Sequence, residues 1–165
     1  MKTLYLVRHA KSSWKYPDLD DFERPLNHRG KKDAPIMGHW LRSKKIIPDL
    51  IISSPALRAS MTARIISETL SYPTERIKYK DQIYESGLTA LFSIIGKSEE
   101  SVKSLMLVGH NPGITSLANT LSDIYVDNIP TCGIFALDLE ISKWVDITEK
   151  CGALKFFEFP KSISK

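Results

Sequence analysis

The sequence predicts an α/β protein, a single three-layer α/β/α domain built around a mostly parallel sheet. Its main support is a set of short apolar runs, each followed by residues with helical spacing. The runs are Leu4-Tyr5-Leu6-Val7, Leu50-Ile51-Ile52 and Leu105-Met106-Leu107-Val108. Such continuous apolar runs are typical of strands buried on both faces. A change to alternating apolar residues after Gly133 predicts an antiparallel addition at the C-terminal end.

The first strand is followed by a polar loop over residues 11–29, and then by apolar residues at helical spacing. We expect this helix to end near Lys44. Proline fits best in the first turn of a helix, so Pro35 allows a start as late as Asp33.

The second strand is followed by Ser54-Pro55, which predicts a helix N-cap and first helical residue. The apolar stripe of this helix runs to Leu70. A short strand near residues 77–79 and a further helix that begins near Gly87 come next.

The third strand ends at Gly109-His110, where Asn111-Pro112 predicts the cap of a short helix that continues to Leu121. Beyond Gly133, the alternation predicts one strand. A turn at Ser142-Lys143 then predicts a second strand over residues 144–148, and residues 154–159 a last one. No internal repeat or linker divides the chain, so we expect one domain over residues 1–165.

The composition is that of an ordinary globular protein, with 42% hydrophobic and 25% charged residues. The formal net charge of +4 mildly favours an anionic partner, but it forms no basic stripe of the kind that binds nucleic acid. No signal peptide or long apolar run is present, so we expect no membrane association and a cytoplasmic location. Cys132 and Cys151 are therefore expected to be free thiols. The sequence leaves the oligomeric state open.

The three strand ends carry groups that can donate to an oxyanion. Strand one ends in Arg8-His9, strand two is followed by Arg58 in the next helix, and strand three ends in Gly109-His110. Neighbouring parallel strands bring such ends to one edge of the sheet, where ligands bind in open α/β folds. An arginine in the first turn of a helix is mildly unfavourable unless an anion lies beside it. The pattern favours a phosphate pocket.

Four motifs in order resemble those of the histidine phosphatase superfamily, over the chain from Lys2 to about Leu121. The motifs are Leu6-Val7-Arg8-His9-Ala10-Lys11, Arg24-Pro25-Leu26-Asn27 with Arg29-Gly30, Ser53-Ser54-Pro55-Ala56-Leu57-Arg58 with Thr62-Ala63, and Val108-Gly109-His110-Asn111-Pro112. The short chain and the Ala10-Lys11 pair are similar to the small SixA-type phosphohistidine phosphatase branch. The resemblance implies a phosphoglycerate-mutase-like fold.

The resemblance also implies roles for the residues at the strand ends. His9 would be the nucleophile, which must be neutral to attack phosphorus and would carry the phosphoryl group as phosphohistidine. Arg8 and Arg58 would bind the phosphoryl oxygens, and nearby guanidiniums should lower the pKa of His9. His110 would be a further phosphate-binding donor. No cofactor or metal is expected, since no third His or Cys has an obvious ligand spacing with His9 and His110.

The proton donor is less well defined by the sequence. The resemblance implies Glu85 as the general acid, although an acid at this position could instead stabilise the start of the helix near Gly87. The rival candidates lie in the first polar loop: Asp18, Asp20, Asp21 and Glu23. The nitrogen leaving group of a phosphoramidate is expelled more easily than the alkoxide of an alkyl phosphate, so the enzyme could also work without a strong acid.

The sequence therefore predicts a metal-independent phosphatase that acts on phosphohistidine in a protein, or on a small phosphomonoester, through a phosphohistidine intermediate at His9. The alternatives are a small-molecule phosphatase or phosphomutase of the same superfamily, and a phosphate-binding module without catalysis. A nucleic-acid binder drawn by the net charge is a further alternative, which would show strongly salt-dependent binding.

Overall fold

The computed structural model describes residues 1–85 and 87–164, and its centre is one mixed six-stranded sheet. The strands are β1 (Lys2–Arg8), β2 (Leu50–Ser53), β3 (Lys78–Tyr79), β4 (Ser104–Gly109), β5 (Ile134–Leu139) and β6 (Gly152–Glu158). The α-helices are α1 (His28–Ser43), α2 (Leu57–Thr69), α3 (Leu88–Gly96), α4 (Gly113–Leu121) and α5 (Pro160–Ile163).

The sheet order is β3-β2-β4-β1-β5-β6, and the first four strands in that order are parallel. β5 is antiparallel to β1, and β6 is antiparallel to β5. The predicted mostly parallel sheet with an antiparallel C-terminal addition is confirmed. Because β1 and β4 pair residue by residue up to Arg8 and Gly109, their C-terminal ends lie level at one edge of the sheet.

Each face of the sheet carries its own apolar core, which explains the continuous apolar runs. Alternate strand residues such as Leu6 and Leu107 pack with α3 and α4, while Val7 and Val108 pack with α1 and α2. Each run therefore buries both of its faces, and the chain forms the three layers that the sequence predicts.

Helix α1 begins earlier than the proline suggests. It starts at His28, and Pro35 lies inside it. The cap is Asn27, whose side-chain oxygen accepts a hydrogen bond from the Gly30 backbone at 2.8 Å. A Cβ at Gly30 would lie 2.2 Å from the Lys11 carbonyl oxygen, so glycine is needed for α1 to approach the segment that follows β1.

The two predicted Ser/Asn-Pro caps are displaced in the structure. α2 begins at Leu57, although the Ser54 hydroxyl, which lies beside His110, does accept a hydrogen bond from the Ala56 backbone at 3.2 Å. α4 begins at Gly113, although the Asn111 side chain does accept a hydrogen bond from the Thr115 backbone at 3.2 Å. Both prolines therefore precede their helices.

The prediction of a strand over residues 144–148 is wrong. Trp144–Asp146 is a short 3-10 turn, because the Trp144 side chain is buried and its indole nitrogen donates to the Val102 carbonyl at 2.7 Å. The strand that pairs with β5 is β6, which begins at Gly152 instead of residue 154. Ser86 of the predicted segment before α3 lies outside the described residues. Cys132 and Cys151 are both free thiols.

Candidate active site

The C-terminal ends of β1, β4 and β2 bring the predicted residues together at one edge of the sheet. The rings of His9 and His110 lie 5.2 Å apart between centroids, in a tilted arrangement. The His9 backbone N–H donates to the Gly109 carbonyl at 3.0 Å, which ties the end of β1 to the end of β4. Arg58 is the second residue of α2, which follows β2.

The Arg8-His9 backbone is held from two sides. The Cys132 N–H donates to both the Arg8 and the His9 carbonyls, at 3.0 and 3.1 Å. On the other side, the Thr62 hydroxyl accepts from the Ala10 N–H at 2.9 Å and donates to the Arg58 carbonyl at 2.7 Å. Because Thr62 lies one helical turn after Arg58, it fixes the start of α2 against the residue next to His9.

His9 is oriented so that one ring nitrogen is available for chemistry. Its Nδ1 lies 2.7 Å from the Ala10 carbonyl oxygen, which can only accept, so Nδ1 carries the proton and Nε2 keeps its lone pair. The ring is only 8% exposed. Burial, with the positive charges of Arg58, Arg8 and Arg24, lowers the pKa of His9 to about 4 despite the opposing Ala10 hydrogen bond. From the sequence we expect the nearby guanidiniums to lower the pKa of His9. In the structure, burial of the side chain lowers this pKa more than they do.

His110 is also neutral near pH 7. Burial, followed by the effects of His9 and Arg58, lowers its pKa to about 3. Its Nε2 lies 2.8 Å from the Ser54 hydroxyl, while its Nδ1 is buried without a partner. The Ser54 hydroxyl accepts from the Ala56 N–H at 3.2 Å, and its own proton is free to donate to His110 Nε2. The proton of the neutral ring is then on Nδ1, where it is available to a bound anion.

The buried His9 and the half-buried His110, both neutral near pH 7, make stability depend on pH. The pKa of His9 is lower in the folded chain than in the unfolded chain, so the stabilisation is complete above about pH 6.5 and is lost as the pH falls towards 4. We expect His9 alone to account for a loss of about 2 kcal/mol in unfolding free energy between about pH 7 and about pH 5. Urea denaturation at the two pH values measures this loss.

The control for this measurement is a second histidine that lies on the surface. His9→Gln should remove its share of the pH dependence, whereas His39→Gln, at an exposed position in α1, should leave the dependence as it is. An equal pH dependence in wild type and His9→Gln would contradict the assignment of His9 as a buried neutral base.

Arg8 and Arg58 each have a buried Nε that makes no hydrogen bond. Their terminal nitrogens are partly occupied: Arg8 Nη1 donates to the Ile129 carbonyl at 3.0 Å, and Arg58 donates twice to Asp21. Among the described residues, buried side-chain polar atoms without partners are rare, and three of the four belong to Arg8, Arg58 and His110. These donors belong to side chains that act on His9 by ring contact or by charge, and they lack an acceptor that the protein itself supplies.

Asp21 is brought into the site, but with the properties of an anchor. Its carboxylate accepts hydrogen bonds from Arg58 at 2.9 Å, from Arg24 at 3.0 Å and from the Tyr84 hydroxyl at 2.6 Å. These donors hold the pKa of Asp21 far below its usual range, chiefly through Tyr84 and then the arginines. Asp21 is therefore ionised in the free protein. From the sequence, Asp21 is only a rival candidate for the acid, and no sequence pattern indicates that Tyr84 reaches it.

The other proton-donor candidates lie on the surface. Glu85 is exposed, and within residues 1–85 and 87–164 its side chain has no hydrogen bond or ion pair to the residues around His9. Three exposed acids of the first loop likewise make no such contact within the described part: Asp18, Asp20 and Glu23. The structure brings together Arg8, His9, Arg58 and His110, but it does not bring Glu85 to them.

The described residues contain neither a metal-binding cluster nor a membrane-spanning helix. Within the described residues, no three His, Cys, Asp or Glu side chains are grouped so that they could hold a metal ion. The positive charge at the site comes from Arg8, Arg24 and Arg58. No helix in the described part of the chain has the length and apolar character needed to cross a bilayer.

Comparison with known proteins identifies the family. The model of the histidine phosphatase superfamily (branch 1) matches residues 4–87, about half of the 165-residue chain and the part that carries Arg8, His9 and Arg58. The chain belongs to the histidine phosphatase superfamily. An uncharacterised protein of Mycobacterium tuberculosis is 31% identical over 94% of this chain and 100% of its own length.

The solved structures show the same fold in this branch of the superfamily. A SixA-type protein from Agrobacterium tumefaciens is 31% identical, with a TM-score of 0.82, over 96% of this chain and 98% of its own. The histidine phosphatase SixA in complex with tungstate has the same fold, with a TM-score of 0.82 at 19% identity, over 98% of this chain and 99% of its own. The predicted phosphoglycerate-mutase-like α/β fold is confirmed, and the chain is a phosphatase of the histidine phosphatase superfamily.

Proposed function

We propose that this histidine phosphatase hydrolyses phosphohistidine in proteins, by way of a covalent phosphohistidine intermediate on His9. The observation that carries the proposal is the site around the unprotonated His9 Nε2. Three buried donor atoms there have no partner in the described protein: Arg8 Nε, Arg58 Nε and His110 Nδ1. A phosphoryl group offers the acceptor oxygens that these donors lack.

In the first step, His9 Nε2 attacks phosphorus opposite the leaving group. The Nε2–P bond forms while the bond from phosphorus to the substrate nitrogen breaks, and that nitrogen keeps the bonding electron pair. Arg8, Arg58 and His110 bind the non-bridging oxygens, so charge is stabilised as the phosphoryl group moves. The neutral state of His9 near pH 7 makes its lone pair available without a separate base.

In the second step, water attacks the phosphoryl group on His9. The P–O bond forms and the P–Nε2 bond breaks. One proton of the water is lost to solvent or to the released phosphate, and His9 returns to its neutral form. The same three donors serve both steps, because the phosphoryl oxygens stay near them while the apical groups exchange.

The surroundings of the leaving group favour phosphohistidine over alkyl phosphates. Asp21 is ionised and accepts three hydrogen bonds, and Glu85 makes no hydrogen bond or ion pair to the residues around His9 within the described chain, so no described carboxylic acid is held there to protonate an alkoxide. An imidazole that carries a proton on its other nitrogen leaves as a neutral molecule and needs no acid. A curated relative, the phosphohistidine phosphatase SixA of Escherichia coli, is 24% identical over 66% of this chain and 67% of its own length, which supports this substrate class.

The test uses the same enzyme on substrates that differ only in the class of leaving group attached to phosphorus. Phosphate release is measured, with EDTA present, from a protein phosphorylated on histidine, from an aryl phosphate and from an alkyl phosphate. We expect kcat/KM to be highest for phosphohistidine and at least about 100-fold lower for the alkyl ester, a difference of about 3 kcal/mol in barrier.

Each alternative has its own outcome in the same experiment. Equal or faster turnover of the alkyl ester would contradict the proposed substrate and indicate a small-molecule phosphatase with an acid in place. Phosphate binding without turnover of any substrate would indicate a silent phosphate-binding module. Phosphoryl transfer between hydroxyl groups without phosphate release would indicate a mutase.

A further inference from the structure

We infer that Asp21 is a positioning residue, which holds the Arg58 guanidinium in the orientation that presents its Nε to the phosphoryl group. The inference rests on the proposed function, since it assigns Asp21 a task in the same site. It replaces the interpretation of Asp21 as a possible proton donor.

Asp21 holds both terminal nitrogens of Arg58. Arg58 Nη1 donates to the Asp21 backbone carbonyl at 2.6 Å, and Arg58 Nη2 donates to the Asp21 carboxylate at 2.9 Å. Two parallel bonds to one residue fix the plane of a guanidinium, which a single bond does not. With both terminal nitrogens held, the edge of Arg58 that remains without a partner is its buried Nε.

Asp21 is itself held in place by Arg24. Arg24 Nε donates to its carboxylate at 3.0 Å, and the same arginine donates through Nη1 to the Ser12 hydroxyl at 2.8 Å and to the Ser13 carbonyl at 3.2 Å. The exposed Trp14 ring lies over the Arg24 guanidinium, 3.6 Å from its centroid to Cζ. The anchor is therefore braced against the segment that follows His9.

Tyr84 lies between Asp21 and His110 and contacts both. Its hydroxyl donates to Asp21 at 2.6 Å, and its ring packs edge-on against the His110 ring at 5.5 Å between centroids. The Arg58 guanidinium lies 5.8 Å from the centre of the same ring. Asp21 thus contacts Arg58 directly and is connected to His110 through the Tyr84 side chain.

A purely electrostatic role for Asp21 makes the opposite prediction to a positioning role. A carboxylate near the pocket repels phosphate, so removing its charge alone would tighten phosphate binding. Removing an anchor lets the Arg58 fork move, which weakens phosphate binding and slows turnover. The sign of the change in phosphate affinity separates these two roles.

The experiment combines Asp21→Asn with a change of its partner. Asp21→Asn removes the charge but keeps the side-chain size and the backbone contact to Arg58. We expect it to lower kcat/KM for an aryl phosphate by about 10- to 100-fold, as a small misplacement of a substrate-binding group does, and to weaken the binding of inorganic phosphate in calorimetry. Tyr84→Phe, which removes one donor to Asp21, should lower kcat/KM by about threefold.

Two comparisons make the result specific. Asp20→Asn changes an exposed neighbouring carboxylate with no side-chain cap bond, and it should leave kcat/KM within about twofold of wild type. In an Arg58→Lys background, Asp21→Asn should change kcat/KM by less than about threefold, because the two residues act through one contact.

Three outcomes would overturn the inference. They are tighter phosphate binding by Asp21→Asn, an equal effect of Asp21→Asn with and without Arg58→Lys, and an Asp21→Asn variant that behaves like Asp20→Asn. The probes are an aryl phosphate and inorganic phosphate, so the result does not depend on phosphohistidine being the substrate. Aryl phosphate turnover without phosphohistidine turnover would contradict the proposed function alone.

Discussion

Replacing His9 by alanine is expected to lower kcat by at least about 10⁴-fold on every substrate that the enzyme accepts. The reason is that the His9 Nε2 forms the bond to phosphorus, and the corresponding nitrogen of the neighbouring His110 is occupied by the Ser54 hydroxyl. Phosphate binding should survive, because Arg8, Arg58 and His110 remain. Steady-state kinetics and calorimetric titration with inorganic phosphate measure the two effects separately.

The matched control is His39→Ala, which changes an exposed histidine of α1 and should leave kcat within about twofold of wild type. Turnover by His9→Ala within about tenfold of wild type would show that the nucleophile is another group. Loss of phosphate binding together with turnover would show that the variant disrupts the pocket, and His9→Asn would then replace it in the measurement.

Replacing Arg58 by lysine should lower kcat/KM by about 10² to 10³-fold, although the positive charge is kept. Lysine offers one point charge and cannot both contact Asp21 through two terminal nitrogens and present a third donor to the phosphoryl group. We expect most of the loss to be in kcat. The charge that develops on the phosphoryl oxygens in the transition state is best stabilised by a guanidinium that is already oriented towards them. Kinetics on an aryl phosphate report it.

The comparison for this variant is Arg64→Lys, which makes the same change at an exposed position of α2. It should be neutral within about twofold. Full activity of Arg58→Lys would contradict the role of the guanidinium fork and reduce Arg58 to a general source of positive charge.

The fold could be predicted largely from the sequence because burial on both faces leaves a distinct pattern. The runs at Leu4 and Leu105 are apolar throughout, since α-helices cover both faces of β1 and β4. Adjacent parallel strands then place Arg8 and Gly109 at the same level, so the meeting of His9 and His110 follows from topology.

Local signals failed where a side chain has a tertiary partner. Ser54-Pro55 has the sequence of a helix cap, and the Ser54 hydroxyl accepts from the Ala56 N–H, but it also contacts His110 and α2 begins only at Leu57. The turn at Ser142-Lys143 predicts a second hairpin strand over residues 144–148, yet burial of the Trp144 ring and its bond to Val102 produce a 3-10 turn. Local propensity is a weak guide at such positions because tertiary contacts override it.

The anchoring network was beyond the sequence for a geometric reason. The first polar loop carries four acids within six residues, and nothing in their order distinguishes Asp21 from Asp20. The choice is made by Tyr84, which is far along the chain and reaches Asp21 only in the folded protein. Prediction of Glu85 as the acid depended on the family resemblance, and its exposed position gives that role no structural support.

A phosphoryl group that passes through His9 can be trapped on that residue. Wild-type enzyme is mixed with excess substrate, quenched in alkali within one turnover and examined by mass spectrometry of the peptide that contains His9. We predict one phosphoryl group on His9, stable to alkali and lost in acid, and none in His9→Ala. A phosphoryl group on another residue, or rapid turnover with an unmodified His9 at every time point, would contradict the account.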